Sequence, residues 1–130
     1  MKKLFPILSI IIVALTVASC KFLLPRRFEA FVDRVENHYS AYSEKDWQKT
    51  SAKFEKLMKE YDKAYSDLSK YDRERIDKAI GRYRAIVVKS GVNSAIEKFN
   101  AMISSASSLV KGFIDGLGAF LNELTIDNGE

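Results

Sequence analysis

From residue 26 onward the chain contains no proline; its two prolines are Pro6 and Pro25. Proline removes a ladder N–H and clashes with the preceding turn, so its absence leaves this whole stretch open to α-helix. Hydrophobic spacing fills the opening. Phe28, Phe31, Val32, Val35 and Tyr39 fall at i, i+3, i+4, i+7 and i+11, the repeat of one helix face. Trp47, Phe54, Leu57, Met58, Tyr61 and Tyr65 share an arc of about 100° when each residue turns the helix by about 100°. Ile76, Ala79, Ile80, Tyr83 and Val87 make a third face, and Ile96, Phe99, Ile103, Val110, Ile114, Leu117 and Leu121 a fourth. No segment alternates apolar and polar residues between hairpin signals. The expected fold is all-α, with three to four helices in an up-and-down bundle or as extended helical hairpins, closed by a long C-terminal helix over 92–124.

Local signals mark the boundaries. Ser40 to Ser43 reads as a turn. Ser43-Glu44-Lys45-Asp46 approximates a capping box, with Asp46 in the place usually held by Glu. It opens a second helix that runs from Glu44 to about Ser66. Ser69 to Asp72 repeats the arrangement and opens a third helix to about Lys89. Ser90-Gly91 stops it, Gly91 suiting a left-handed position just past the helix end.

The first twenty residues follow a different logic. Lys2 and Lys3 precede an apolar run from Leu4 to Val17 that is broken by Pro6, Ser9 and Thr16. Val17-Ala18-Ser19 then leads into Cys20, the one cysteine of the chain. This is the layout of a secretory signal peptide, and the run is shorter than the about 20 apolar residues that cross a bilayer. A lone cysteine in an exported chain has no internal disulfide partner; acylation would account for it. The segment resembles a bacterial lipoprotein signal whose lipobox ends in the lipidated Cys20. On this reading residues 1–19 are the signal, 20–27 a lipidated tether, 28–124 the helical domain and 125–130 a disordered tail.

That resemblance implies a lipid-anchored protein of the bacterial cell envelope, with the membrane as its first partner through Cys20. Acyl chains add about 0.8 kcal/mol for each buried CH₂. Lys21 replaces the aspartate that keeps many enterobacterial lipoproteins in the inner membrane, which favours the outer membrane. No acidic run of the surface-export kind follows Cys20, which favours the periplasmic face. Within the domain, Phe31-Val-Asp-Arg-Val-Glu36, Ser43-Glu-Lys-Asp-Trp47 and Ala79-Ile-Gly-Arg-Tyr83-Arg-Ala85 resemble a group of small helical Bacteroidetes lipoproteins. The similarity spans roughly residues 20–91. That group is classed as a domain of unknown function, so the resemblance implies an all-helical envelope protein and transfers no active-site residue.

Charge and residue chemistry narrow the function classes. Without residues 1–19 the chain holds 19 basic and 17 acidic residues, a net of +2. Residues 21–99 hold 18 basic and 13 acidic, a net of +5, whereas 100–130 set Lys111 against Asp115, Glu123, Asp127 and Glu130. His38 is the lone histidine; with one cysteine, no zinc site of nitrogen and sulfur ligands can be assembled in one chain. His38 is expected at the surface, Ser40 and Ser43 at a turn, and no nucleophile–base pair is expected. No carboxylate stands in an apolar context that would raise its pKa, Asp115 coming nearest between Ile114 and Gly116. No glycine-rich phosphate loop follows a strand. Catalytic residues, metals and cofactors are therefore not expected, and export argues against nucleic acid.

Three surface patterns remain. Lys45, Lys49, Lys53, Lys56, Lys59 and Lys63 project within about 120° of one another, opposite the apolar face of the second helix. Glu60 and Asp67 interrupt this row, and Arg75, Lys78, Arg82 and Lys89 form another on the third helix. A basic row suits anionic head groups, a glycan or an acidic partner, and it is equally what a solvated helix face looks like. Trp47, Phe54, Tyr61, Tyr65, Tyr71 and Tyr83 have core spacing and are expected inside, rather than as a carbohydrate platform. Ser104, Ser108, Gly112 and Gly116 step at i+4 through a nearly uncharged segment, and small residues let a second backbone approach closely. The reading is thus a binding or scaffolding module. Its expected partner is a protein or a second copy in a weak homo-oligomer; the alternative is anionic lipid or glycan on the lysine row.

Overall fold

The computed structural model describes residues 23–116. Expectations for the signal, for Cys20 and for the tail lie outside the described residues. Among the described residues the chain is α1 (Leu24–His38), a 3₁₀ turn (Tyr39–Ala41), α2 (Glu44–Ala64), a second 3₁₀ turn (Tyr65–Asp67), α3 (Lys70–Ser90), α4 (Asn93–Ser105) and a further helical run, α5, over 108–116. The described residues contain no strand.

The starts and stops follow local chemistry. α1 begins four residues before Phe28: Pro25 sits in its first turn, where a missing N–H costs nothing. Leu24 and Pro25 are buried, so the packed domain takes in residues that the sequence reading placed in the tether. At α2 the Ser43 hydroxyl accepts from the Asp46 N–H (3.2 Å) while the Asp46 carboxylate accepts from the Ser43 N–H (3.0 Å). The Ser43 N–H and the Ser43 hydroxyl, both donating to the Asp46 carboxylate, hold that carboxyl below the usual carboxylate range. At α3 the Ser69 hydroxyl accepts from the Asp72 N–H (3.1 Å), and the Asp72 carboxylate lies 3.9 Å from Arg75. Gly91 ends α3 in the left-handed region at φ 69°, a conformation that costs glycine little.

Among the described residues, which reach 116 and so exclude Leu117 and Leu121, the expected long C-terminal helix is two helices. α4 stops at Ser105, and Ala106 is extended at ψ 156°. The Ser104 and Ser105 hydroxyls donate to the carbonyls of Asn100 and Met102, which competes with the helix ladder. Ser107 restarts the chain: its hydroxyl accepts from the Val110 N–H (3.4 Å) and its carbonyl from the Lys111 N–H (2.8 Å). The count of three to four helices becomes five helical segments among the described residues.

Ion pairs and ring contacts give the helix directions. Glu29 meets Arg75, and Asp33 and Glu36 meet Arg82, so α1 and α3 run parallel. Arg27 meets Glu60, and Tyr61 meets Arg73 and Asp77, so α2 runs antiparallel to both. At the centre one ring comes from each of four helices: Phe31, Phe54, Tyr83 and Phe99. Phe54 stacks on Tyr83 at 4.4 Å and on Phe99 at 5.6 Å, and Phe31 lies 5.3 Å from Tyr83. Trp47 is buried at the far end of α2, edge-on to Tyr42 at 5.3 Å. Phe99, Ile103, Val110 and Ile114 carry the apolar face across the α4–α5 break.

Removing a central ring leaves a cavity that four helices cannot collapse to fill. Phe54→Ala and Trp47→Ala should each lower the unfolding free energy in urea by about 3–5 kcal/mol, and Ser43→Ala by about 1 kcal/mol. An unchanged transition for Trp47→Ala would place the indole outside the core.

Candidate functional site

α2 turns one face to the core and the other to water, as its spacing requires. Trp47, Phe54, Leu57, Met58 and Tyr61 are buried, while Lys45, Lys49, Lys53, Lys56, Lys59 and Lys63 are all exposed. At about 1.5 Å per residue the row is about 27 Å long. Lys59 lies 3.5 Å from Glu55 with both side chains mostly solvated, a pair that contributes little. Glu60, which interrupts the row in the sequence, is drawn aside by Arg27 of α1 at 2.7 Å. Asp67 lies past the end of α2 in the 3₁₀ turn.

The α3 row has a different fate. Arg75 forms a two-point ion pair with Glu29 of α1, and Arg82 bridges Asp33 (2.8 Å) and Glu36 (2.6 Å). Carboxylates of the parallel neighbour therefore cancel its two arginines, and Lys78 and Lys89 stand exposed beside them. The two basic rows look alike in the sequence. The fold separates them.

Two concavities border these rows. A cleft of about 710 Å³ lies between α3 and α5, with Tyr71, Arg75, Lys78, Gly112, Phe113 and Gly116 in its lining. Tyr71 is 68% exposed, which corrects its expected place in the core. It stands on the solvent side of the first turn of α3, one turn from Arg75, whose guanidinium lies 5.8 Å from its ring centre. A groove of about 450 Å³ runs between α1 and α2.

Sequence reasoning missed one buried polar network. Asp77 is 6% exposed and accepts a 2.7 Å hydrogen bond from the Tyr61 hydroxyl, itself fully buried. Burial raises the Asp77 carboxyl above the usual range, against the pull of the Tyr61 hydrogen bond and the nearby Arg73. Burial and the Asp77 hydrogen bond likewise push the Tyr61 phenol far up, so it stays a donor at any physiological pH. Arg73 donates from Nε to the Tyr65 carbonyl (2.8 Å) and lies over the Tyr65 ring at 4.3 Å. Tyr83 is pushed up to about 12 by burial. The arrangement ties the end of α2 to the start of α3. The available signal was that Tyr61 and Asp77 both fall inside the buried arcs of neighbouring helices.

The remaining candidates are dispersed. His38 is exposed at the end of α1, its Nδ1 2.8 Å from the Arg34 carbonyl oxygen. Asp115 is exposed on α5; the carboxylate in an apolar setting is Asp77. The helix break puts Ser104 on α4 and Ser108, Gly112 and Gly116 on α5, all four exposed. A Cβ at Gly112 or Gly116 would meet nothing within 4 Å, so no backbone of the described residues packs against them. Among the described residues no group of three or more His, Cys, Asp or Glu is placed to hold a metal ion, and no helix is long and apolar enough to cross a membrane.

The Asp77 pair makes a pH-dependent contribution with a defined sign. Its folded pKa is raised, so the folded state holds the proton more tightly than the unfolded chain. Its cost is present above the folded pKa and disappears as pH falls toward the ordinary carboxylate value of about 3.9. Asp77→Asn should therefore be neutral to stabilising at pH 7, with the difference from wild type shrinking on acidification. Tyr61→Phe, which strips the buried carboxylate of its donor, should cost about 1.5–3 kcal/mol at pH 7. Urea unfolding of the three proteins across pH 4–8 checks both signs.

No curated protein and no solved structure matches the chain. A family model for a domain of unknown function, DUF6565, matches residues 35–125. That match begins within the first of the quoted motifs and continues across α4 and α5, well past the region of sequence resemblance. It covers more than half of the chain and all but the first part of the helical bundle: the protein belongs to the DUF6565 family of domains of unknown function.

Proposed function

We propose that this protein is a lipid-anchored binding module of the bacterial cell envelope, held at a membrane by acylation of Cys20 and applying the α2 lysine row to an anionic surface. The observation that carries the reading is the contrast between the two basic rows. The fold supplies α3 with carboxylates at Glu29, Asp33 and Glu36 and leaves six α2 lysines exposed, with one surface pair at Lys59. The layout Lys2-Lys3, apolar run, Val17-Ala18-Ser19-Cys20 supports the anchor. With Lys21 after the cysteine, the periplasmic face of the outer membrane is the proposed location. Binding, not catalysis, is the proposed activity.

A second reading, a protein partner or a second copy docked on α5, is supported by exposed apolar side chains there. Leu109 is 66% and Phe113 55% exposed, beside the open approach at Gly112 and Gly116.

Cys20→Ala should abolish palmitate labelling in a bacterial host that acylates lipoproteins; persistent labelling would remove the anchor. Residues 21–130, produced without lipid, should sediment with vesicles rich in anionic phospholipid and not with neutral ones. Each near-surface lysine contributes about 1 kcal/mol, so replacing Lys49, Lys56 and Lys63 with glutamine should weaken binding by about a hundredfold. Salt should do the same by screening over about 8 Å at physiological strength. Equal sedimentation with both vesicle types would reduce the row to a solvated face.

A further inference from the structure

We propose that the groove between α1 and α2 is a discrete site for the phosphate headgroup of a single anionic phospholipid. The groove brings together four cations from two helices: Arg27 and Arg34 of α1, and Lys53 and Lys56 of α2. No carboxylate is in its lining. Arg27 has Glu60 at 2.7 Å; among the described residues Arg34, Lys53 and Lys56 form no ion pair. Converging like charges raise the energy of the folded state, and a bound anion relieves that repulsion. Guanidinium groups also match phosphate oxygens with paired N–H donors.

The floor beneath the cations is apolar. Phe31 and Tyr42 are half-buried there, and Val35 and Leu57 are buried. A site for a free inorganic anion has no use for such a floor, whereas the glycerol and first methylenes of a lipid would cover it. The volume, about 450 Å³, falls within the range of small-molecule sites, about 300–1,000 Å³. Arg27 stands seven residues after Cys20. If Cys20 is acylated, the Arg27 end of the groove is therefore within chain reach of the headgroup layer. The proposal rests on the membrane reading in this last respect alone. The cations and the apolar floor stand without it, and the site differs from the lysine row in being saturable and in needing two arginines that the row does not contain.

The test is native mass spectrometry of the full chain in a nonionic detergent, titrated with phosphatidic acid, with phosphatidylcholine, and with phosphatidic acid in the presence of inorganic phosphate. A single phosphatidic acid adduct should saturate before any second one appears, and phosphatidylcholine should give at most a tenth of it. Arg34→Gln and Lys53→Gln should each lower the affinity about tenfold. Lys45→Gln and Lys63→Gln, on the row but outside the groove, should leave it unchanged. All four positions are exposed, and an unchanged helical circular dichroism spectrum would verify that each variant folds. The proposal is overturned by equal adducts of the two lipids, by an open-ended adduct series, or by binding that survives both groove variants. Complete displacement by millimolar phosphate would assign the groove to a free anion and overturn the lipid. Because the readout is taken in detergent, failure of vesicle binding by the row would not produce any of these results.

Discussion

The Phe31–Phe54–Tyr83–Phe99 cluster is the contact on which the rest of this structure depends. It is the point where four helices meet, and each gives one ring to it. Rings at offset and tilted angles gain beyond the area they bury, about 0.5–1.5 kcal/mol for each pair. Their size also sets the helix spacing. That spacing lets α1 reach α3 with its carboxylates and lets Tyr61 of α2 reach Asp77 of α3. The polar contacts that distinguish one face from another are thus consequences of an apolar centre.

Charge is distributed by topology more than by composition. α1 is flanked by both α2 and α3, so its ionisable side chains divide between them. Glu29, Asp33 and Glu36 go to α3, while Arg27 goes to α2 and removes its interrupting acid, Glu60. These partly solvated pairs contribute little to stability. Their effect is on the potential outside the protein. One basic row has its two arginines neutralised, and the other is left more uniformly positive than its sequence suggests.

What was legible in the sequence was local. The box at Ser43 and Asp46 closes within four residues, Gly91 takes its left-handed turn because no other residue is as suited to it, and the buried faces of α2 and α3 follow from spacing alone. What was illegible depended on distance or on competition. The Arg75 and Arg82 pairs join residues 46 to 49 positions apart, and although Asp77 falls inside the buried arc of α3, its partner Tyr61 lies sixteen positions away on another helix. The α4–α5 break escaped for a third reason. Ile103 and Val110 are seven residues apart, two full turns, so the apolar stripe continues as though nothing intervened. The signal was in the hydroxyls of Ser104, Ser105 and Ser107, which bond to the backbone on either side of the break; the sequence reading takes Ser104 as a small residue alone.

The parallel pairing of α1 and α3 about an antiparallel α2 has a consequence for how the molecule presents itself. α2 and α3 face each other across the core, through Phe54 on Tyr83 and Tyr61 on Asp77, so their solvent faces look to opposite sides, and the lysine row runs lengthwise rather than across an end. Engagement of that whole row with a flat surface lays the bundle on its side, like a boat on its keel, and leaves the α3–α5 cleft uppermost with Tyr71 and Phe113 at its rim.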